Sequence, residues 1–215
     1  MTSLETWCLV VPVKRLALAK TRLAQAAGKH RSELALAFAL DTVDAALRCP
    51  RVRAVVAVTD EDVAARALRM LGATVVADFP DAGLNPALVH GADTAREAHP
   101  GCGVGALSAD VPALRPDELA TALQLASGHD SSFVRDASHS GTTLLLARVG
   151  TELSPRFGPS SAERHADEGA FELLGSGFPS LRRDVDTEAD LADAVRLGLG
   201  RRSADVVARL GVPRG

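Results

Sequence analysis

Residues 7–13 read Trp-Cys-Leu-Val-Val-Pro-Val, and residues 52–58 read Val-Arg-Ala-Val-Val-Ala-Val. Both are apolar runs rich in β-branched side chains, interrupted only by Arg53 in the second, as expected of strands buried on both faces of a parallel sheet. Between them Leu36, Leu40, Val43 and Leu47 recur at helical spacing, which predicts a crossover helix. The order strand, helix, strand makes a βαβ unit, and that unit decides the fold class.

The same rhythm continues downstream. A helix is predicted near 61–71, a short strand at 74–78, a helix over 86–98, a strand running through 104–110, a helix over 116–126 opened by Pro116, and a strand at 131–136. Such alternation predicts an α/β chain, a Rossmann-like, mostly parallel sheet with helices on both faces, as one domain over 1–215. After Asp136 the rhythm breaks into a polar turn, a further strand, and a Pro/Gly/Ser-rich loop, Ser-Pro-Arg-Phe-Gly-Pro-Ser-Ser at 154–161, that gives way to a helix. A strand is predicted at 180–186, then a capped helix from Thr187 with Glu188 and Asp190 in its first turn. The tail 201–215 reads as an amphipathic helix around Val206, Val207 and Leu210 with a frayed end.

A chain of 215 residues, 47% hydrophobic, is long enough to bury a sizeable core. Its formal net charge of −3 argues against the broad positive field of a nucleic-acid or membrane-surface binder. Cys8, Cys49 and Cys102 lack CxxC spacing, so neither a disulfide framework nor a structural zinc site is expected. The apolar run near the N-terminus is too short to span a bilayer and has no basic region before it, so a cytoplasmic location is expected.

In open α/β sheets, ligands sit beyond the carboxyl ends of the strands. Three segments deliver functional groups to that edge. Lys14, Arg15, Lys20 and Arg22 follow the first strand, a cationic cluster suited to a polyphosphate or to a solvated helix start. Neither GxxxxGK[ST] nor GxGxxG accompanies it. Asp110 ends the strand before Val111-Pro112. Asp184 and Asp186 occupy alternate positions, which on a strand would face the same way. Mg²⁺ takes one or two carboxylates together with phosphate oxygens and retained waters, so Asp110 with Asp184, or with its rival Asp186, would suit it. Each of these aspartates also suits a turn or a helix cap. Asn85, in Gly83-Leu84-Asn85, either reads a nucleobase edge with its amide or caps the helix that Pro86 opens. Thr59, Asp60, Arg164 and His165 rank behind these, His165 as polar surface. His30, His90, His99, His129 and His139 show no ligand spacing.

Taken in order, Val10-Val-Pro-Val-Lys-Arg, Thr59-Asp60, Gly83-Leu-Asn85, Ser108-Ala-Asp-Val-Pro-Ala-Leu114, Gly141-Thr-Thr-Leu-Leu145, Arg156-Phe-Gly-Pro-Ser-Ser161 and Asp184-Val-Asp-Thr-Glu-Ala-Asp-Leu191 resemble the 2-phospho-L-lactate/phosphoenolpyruvate guanylyltransferases of deazaflavin-coenzyme biosynthesis, the CofC/FbiD family. The resemblance implies a nucleotidyltransferase fold with glycosyltransferase-A-like topology. It implies transfer of GMP from GTP to a phosphorylated three-carbon acid, phosphoenolpyruvate before 2-phospho-L-lactate, with release of pyrophosphate. It implies Mg²⁺ on Asp110 and Asp184. It also implies catalytic Lys14, Lys20, Arg22 and Asp110, with Lys14, Lys20 and Asn85 on the nucleotide. Thr143, Gly158 and Ser161 map onto the family's contacts with the acid. A homodimer, or contact with the next pathway enzyme, is compatible with it; nucleic acid and membrane are not expected partners. The rival readings are a nucleotidyltransferase acting on a sugar phosphate or a molybdopterin, and a non-catalytic α/β nucleotide-binding domain.

Overall fold

The computed structural model describes residues 5–13, 30–175 and 177–210. Lys14, Lys20 and Arg22, three of the expected phosphate-binding cations, lie outside the described residues.

Up to the helix that follows residue 160, the expected order of elements is realised. Strands β1 (Trp7–Pro12), β2 (Val52–Val58), β3 (Thr74–Val76) and β4 (Gly103–Leu107) alternate with helices α1 (Arg31–Arg48), α2 (Asp62–Leu71) and α3 (Leu84–Ala98). Helix α4 (Pro116–Ala126) leads into β5 (Ser131–Arg135) and β6 (Thr142–Ala147). Then come α5 (Ser161–Asp167), β7 (Phe171–Glu172), α6 (Pro179–Arg182), α7 (Glu188–Leu197) and α8 (Arg201–Arg209). One seven-stranded sheet runs β3-β2-β1-β4-β6-β5-β7. β1 pairs in parallel with β2 and β4, whereas β6 is antiparallel to both its neighbours.

The apolar runs are explained by this placement. β1 is central, and Trp7 through Val11 are all buried, with alternate residues feeding opposite faces. Leu9 and Val11 join Ala35, Ala39, Val43, Leu68, Leu119 and Leu123 from α1, α2 and α4. Cys8 and Val10 join Leu88, Ala92, Phe133 and Ala162 on the other face, beneath α3 and α5. On α3, a Cβ at Gly91 would stand 2.5 Å from Val10 Cγ1 and 2.8 Å from Val58 Cγ2, so the absence of a side chain lets that helix close on the sheet. Cys8 and Cys49 are free thiols in the core, and burial, together with the nearby Cys102, pushes the Cys8 thiol up to about 12.

One expectation fails here. Residues 180–186 form no strand: Pro179 opens the helical turn α6, and 183–187 follow as irregular chain. The turn is pinned by Glu118, which accepts from the amide and hydroxyl of Ser180 (both 2.7 Å), and by Arg182, which donates to the carbonyls of Arg135 (3.1 Å) and Leu173 (2.9 Å). Within the segment Ser180 N bonds Glu118, Val185 N bonds Asp110 O and Asp186 N bonds Asp190 Oδ2, so its amides find scattered acceptors where a ladder was expected. The amphipathic helix expected in the tail is present. α8 buries Val206 and Val207 against Leu34 and Phe38 of α1, and buried Asp41 accepts from the amides of Ser203 (2.7 Å) and Arg202 (3.2 Å) at its N-terminus. The capped helix from Thr187 is present: Asp190 N donates to Thr187 Oγ1 (3.3 Å), and Thr187 N donates to Asp190 Oδ2 (2.9 Å).

Candidate active site

Chain order reverses across the β1–β4 pair, so the edge beyond Pro12 and Leu107 is where an open α/β sheet binds its ligand. Because β6 runs antiparallel, its first residues reach that edge, and Leu144 pairs with Leu107. The Asp110 turn is fastened there by hydrogen bonds to four places. Ser108 N donates to Thr143 O (2.8 Å), Thr42 Oγ1 on α1 donates to Ala109 O (3.2 Å), Val185 N donates to Asp110 O (3.0 Å), and Gly200 N donates to Pro112 O (2.8 Å). The bond from Val185 brings Asp184 and Asp186 beside Asp110. Buried Val185 separates the two, so they flank it as a strand would have placed them, although the backbone is not one.

Asp190 holds that segment in place. Its carboxylate accepts from the amides of Asp186 (3.3 Å) and Thr187 (2.9 Å), and from Thr187 Oγ1 (2.7 Å), while Arg183 bridges it to Asp193. Partial burial would raise its pKa, yet these donors and Arg183 hold the carboxyl below the usual range.

A cleft of about 550 Å³ opens alongside, lined by Asp184 and Asp186, by Asp136, Ser140 and Thr142, and by Gly158, Ser160 and Ser161. Two of the three residues expected at the acid, Gly158 and Ser161, thus face one hollow with Asp184. Gly158 has φ +127°, a conformation that favours glycine, and Ser161 is buried at the start of α5. Thr143 is fully buried. It forms a bulge, because Arg135 pairs with Thr142 and Val134 with Leu144, and its hydroxyl has no partner among the described residues.

Asn85 neither caps α3 nor precedes it. The helix begins at Leu84 after Gly83, and the Asn85 amide clamps the neighbouring loop: Nδ2 donates to Phe157 O (3.2 Å) and Oδ1 accepts from Phe157 N (2.9 Å). It lies on the rim of a second hollow of about 580 Å³, between α3 and residues 152–156. Thr59 and Asp60 are spent locally, on the amides of Glu61 (3.1 Å) and Asp78 (3.0 Å). Arg164 donates to Pro159 O.

His165 is not polar surface. It is buried, its Nε2 accepts from Arg156 N (2.9 Å), and its Nδ1 bonds Thr142 Oγ1 (2.9 Å). An amide can only donate, so neutral His165 carries its proton on Nδ1 and donates to Thr142. Burial lowers its pKa to about 4, which fits the neutral ring. Asp136 was also missed: buried in the cleft wall, it accepts from Ser138 Oγ (2.8 Å) and Ser140 N (3.0 Å) and so shapes the turn before β6. The Ser-x-Ser after Asp136 carried a local turn signal for it; nothing local marked His165.

The donor set at Asp110 and Asp184 consists of hard carboxylate oxygens, and among the described residues no three His, Cys, Asp or Glu side chains converge into a metal cage. Two carboxylates beside a polar cleft fit Mg²⁺, which fills its other positions with phosphate oxygens and water.

A mostly parallel sheet with one reversed strand and acidic groups at its switch point is the architecture of a nucleotidyltransferase. Solved structures agree on the fold. A protein of Desulfovibrio desulfuricans G20 assigned as a nucleotide-diphospho-sugar transferase superposes with TM-score 0.69 at 17% identity, covering 96% of this chain and 98% of that one. Rv0371c of Mycobacterium tuberculosis H37Rv, in complex with manganese, gives TM-score 0.53 at 19% identity over 89% and 98%. A family model described as "Guanylyl transferase CofC like" matches residues 7–213, and the chain belongs to that family. Relatives include the phosphoenolpyruvate guanylyltransferase of Thermomonospora curvata, 59% identical over 95% of this chain and 90% of its own length. That of Streptomyces coelicolor is 54% identical over 95% and 97%. No described helix is long and apolar enough to cross a membrane.

Proposed function

We propose that this chain transfers the guanylyl group of GTP to phosphoenolpyruvate, with 2-phospho-L-lactate as the alternative acceptor, releasing pyrophosphate in cytoplasmic biosynthesis of a deazaflavin coenzyme. The observation that carries the reading is the Val185–Asp110 backbone bond. It joins two acidic segments, from distant parts of the chain, beside a cleft containing Gly158 and Ser161. The names borne by relatives up to 59% identical supply the nucleotide class and the acid.

An oxygen of the acid's phosphate attacks the α-phosphorus of GTP, and the bond from that phosphorus to the bridging oxygen of pyrophosphate breaks. Both reactants are anionic, so charge neutralisation is the main requirement. Asp110 and Asp184 would hold Mg²⁺, which when bound supplies Lewis-acid polarisation and a template for the two phosphoryl groups. Lys14, Lys20 and Arg22 would bind the triphosphate and meet charge developing on the leaving group. Asn85 retains one N–H and one lone pair for a guanine edge. Ser161 and the Gly158 backbone would receive the acid, and the unsatisfied hydroxyl of Thr143 would gain a partner. The acceptor phosphate is ionised near neutral pH, so no general base is required.

The test is pyrophosphate release from GTP with phosphoenolpyruvate, 2-phospho-L-lactate and 3-phosphoglycerate offered separately, followed by mass analysis of the nucleotide product. Turnover with another nucleotide and none with GTP would overturn the reading. Thermal shifts with each nucleotide, with and without Mg²⁺, separate an enzyme from a domain that only binds.

A further inference from the structure

The residues proposed to hold the acid come from three separate pieces of chain. Thr143 lies in the bulge at the start of β6, Gly158 in the 155–160 loop, and Ser161 on α5. One side chain is bonded to all three pieces. His165 belongs to α5, on the same buried side as Ser161 and one turn further along. Its Nδ1 reaches Thr142, the neighbour of Thr143, and its Nε2 takes the amide of Arg156, two residues before Gly158. The ring also lies against Phe157 edge-on, with centroids 5.3 Å apart, and against Phe133 at 5.9 Å. We infer that His165 is a positioning residue for the acceptor acid, its imidazole setting the mutual distances of the bulge, the loop and α5 without touching substrate.

The chemistry of the ring suits this task. A neutral imidazole is a donor at one nitrogen and an acceptor at the other, about 2 Å apart on a rigid frame, so it can bridge a hydroxyl and an amide without bringing charge into the core. The loop is otherwise held at the start of α5, where Ser161 N donates to Gly158 O (3.1 Å) and Arg164 to Pro159 O, and on its outer side. Asn85 holds Phe157, and Glu168 accepts from Ser154 Oγ (3.0 Å) and pairs with Arg156. Neither reaches β6. Without His165, the loop keeps its outer attachments and loses its register with Thr142 and Thr143.

The inference rests on the proposed acceptor site, so wild-type turnover with GTP and phosphoenolpyruvate is established first. Its absence would count against that reading alone. His165→Phe removes both bonds at similar volume, His165→Gln presents an oxygen near the Nε2 position, and Thr142→Val removes the partner hydroxyl. His165→Phe is expected to raise KM for the acid about tenfold, with KM for GTP changed less than about twofold. His165→Gln should recover most of that loss, because it can still accept from the Arg156 amide. Thr142→Val should show a smaller rise of the same kind in a chain with the core intact, which keeps the test alive if His165→Phe fails to fold. Equal losses on GTP and acid, or a lowered melting temperature with unchanged KM values and no rescue by glutamine, would overturn the inference.

Discussion

The amide of Val185 donates to the carbonyl of Asp110 across 3.0 Å, joining the turn after β4 to the irregular segment before α7. This bond brings the backbones of two acidic segments together. Val185 is not itself a candidate site residue, yet its neighbours Asp184 and Asp186, and its partner Asp110, are the acidic residues proposed for the metal.

Asp110→Asn should abolish pyrophosphate release, by about a thousandfold or more, since removing one charge from a two-carboxylate Mg²⁺ site weakens both binding and electrostatic stabilisation. Melting temperature should hold within a few degrees, because the carbonyls of Ala109, Asp110 and Pro112 keep their bonds to Thr42, Val185 and Gly200. Retained turnover would remove Asp110 from the metal site. Chelation of divalent ions should silence the wild type, and added Mg²⁺ should restore it.

Asp184→Asn should cost more activity than Asp186→Asn. Both line the cleft, but Asp184 is half-buried whereas Asp186 is exposed, and a carboxylate withdrawn from bulk water binds a cation more strongly. Side-by-side Mg²⁺ titrations of the two variants check the order.

Ser161→Ala should raise KM for the acid about tenfold and leave KM for GTP nearly unchanged, as expected for loss of one hydrogen bond to an anion. The measurement is initial rate against each substrate in turn. A shared loss would move Ser161 out of the acceptor pocket.

His165 makes stability depend on pH. Its pKa is about 4 in the folded protein against 6.5 for the free side chain, so between those values the unfolded chain binds more protons. Its contribution is complete above pH 6.5, falls as pH drops through that window, and levels off below about 4. The full amplitude is about 3 kcal/mol. His165→Phe should flatten this part of the melting-temperature profile between pH 7 and 4.

Asp41→Ala should destabilise without touching catalysis. It strips the amides of Arg202 and Ser203 and the Arg202 guanidinium of their shared acceptor in a buried setting. A loss of about 2–3 kcal/mol is expected. Thermal unfolding should register it, with kcat unchanged.

Much of this architecture was legible in the chain. The run at 7–13 reads as a central strand because all its side chains are apolar, and only burial on both faces tolerates that. Thr187 with Asp190 reads as a capping box because both partners of the bond lie within one turn. The strand expected at 180–186 failed for the opposite reason: Glu118 and Asp110, which accept from the amides of Ser180 and Val185, are distant in sequence.

By itself, the sequence determined the alternation of strands and helices, and the acidic residues that follow particular strands, since periodicity and capping are properties of neighbours along the chain. Only the tertiary structure decided that β6 runs backwards and brings Thr142 and Thr143 to the active edge. It alone decided that His165 is buried between three segments, and that Asp41 caps a helix 162 residues further on. Hydrogen bonds between residues so far apart form only once the core has closed around them, so no local pattern of residue types carries their trace.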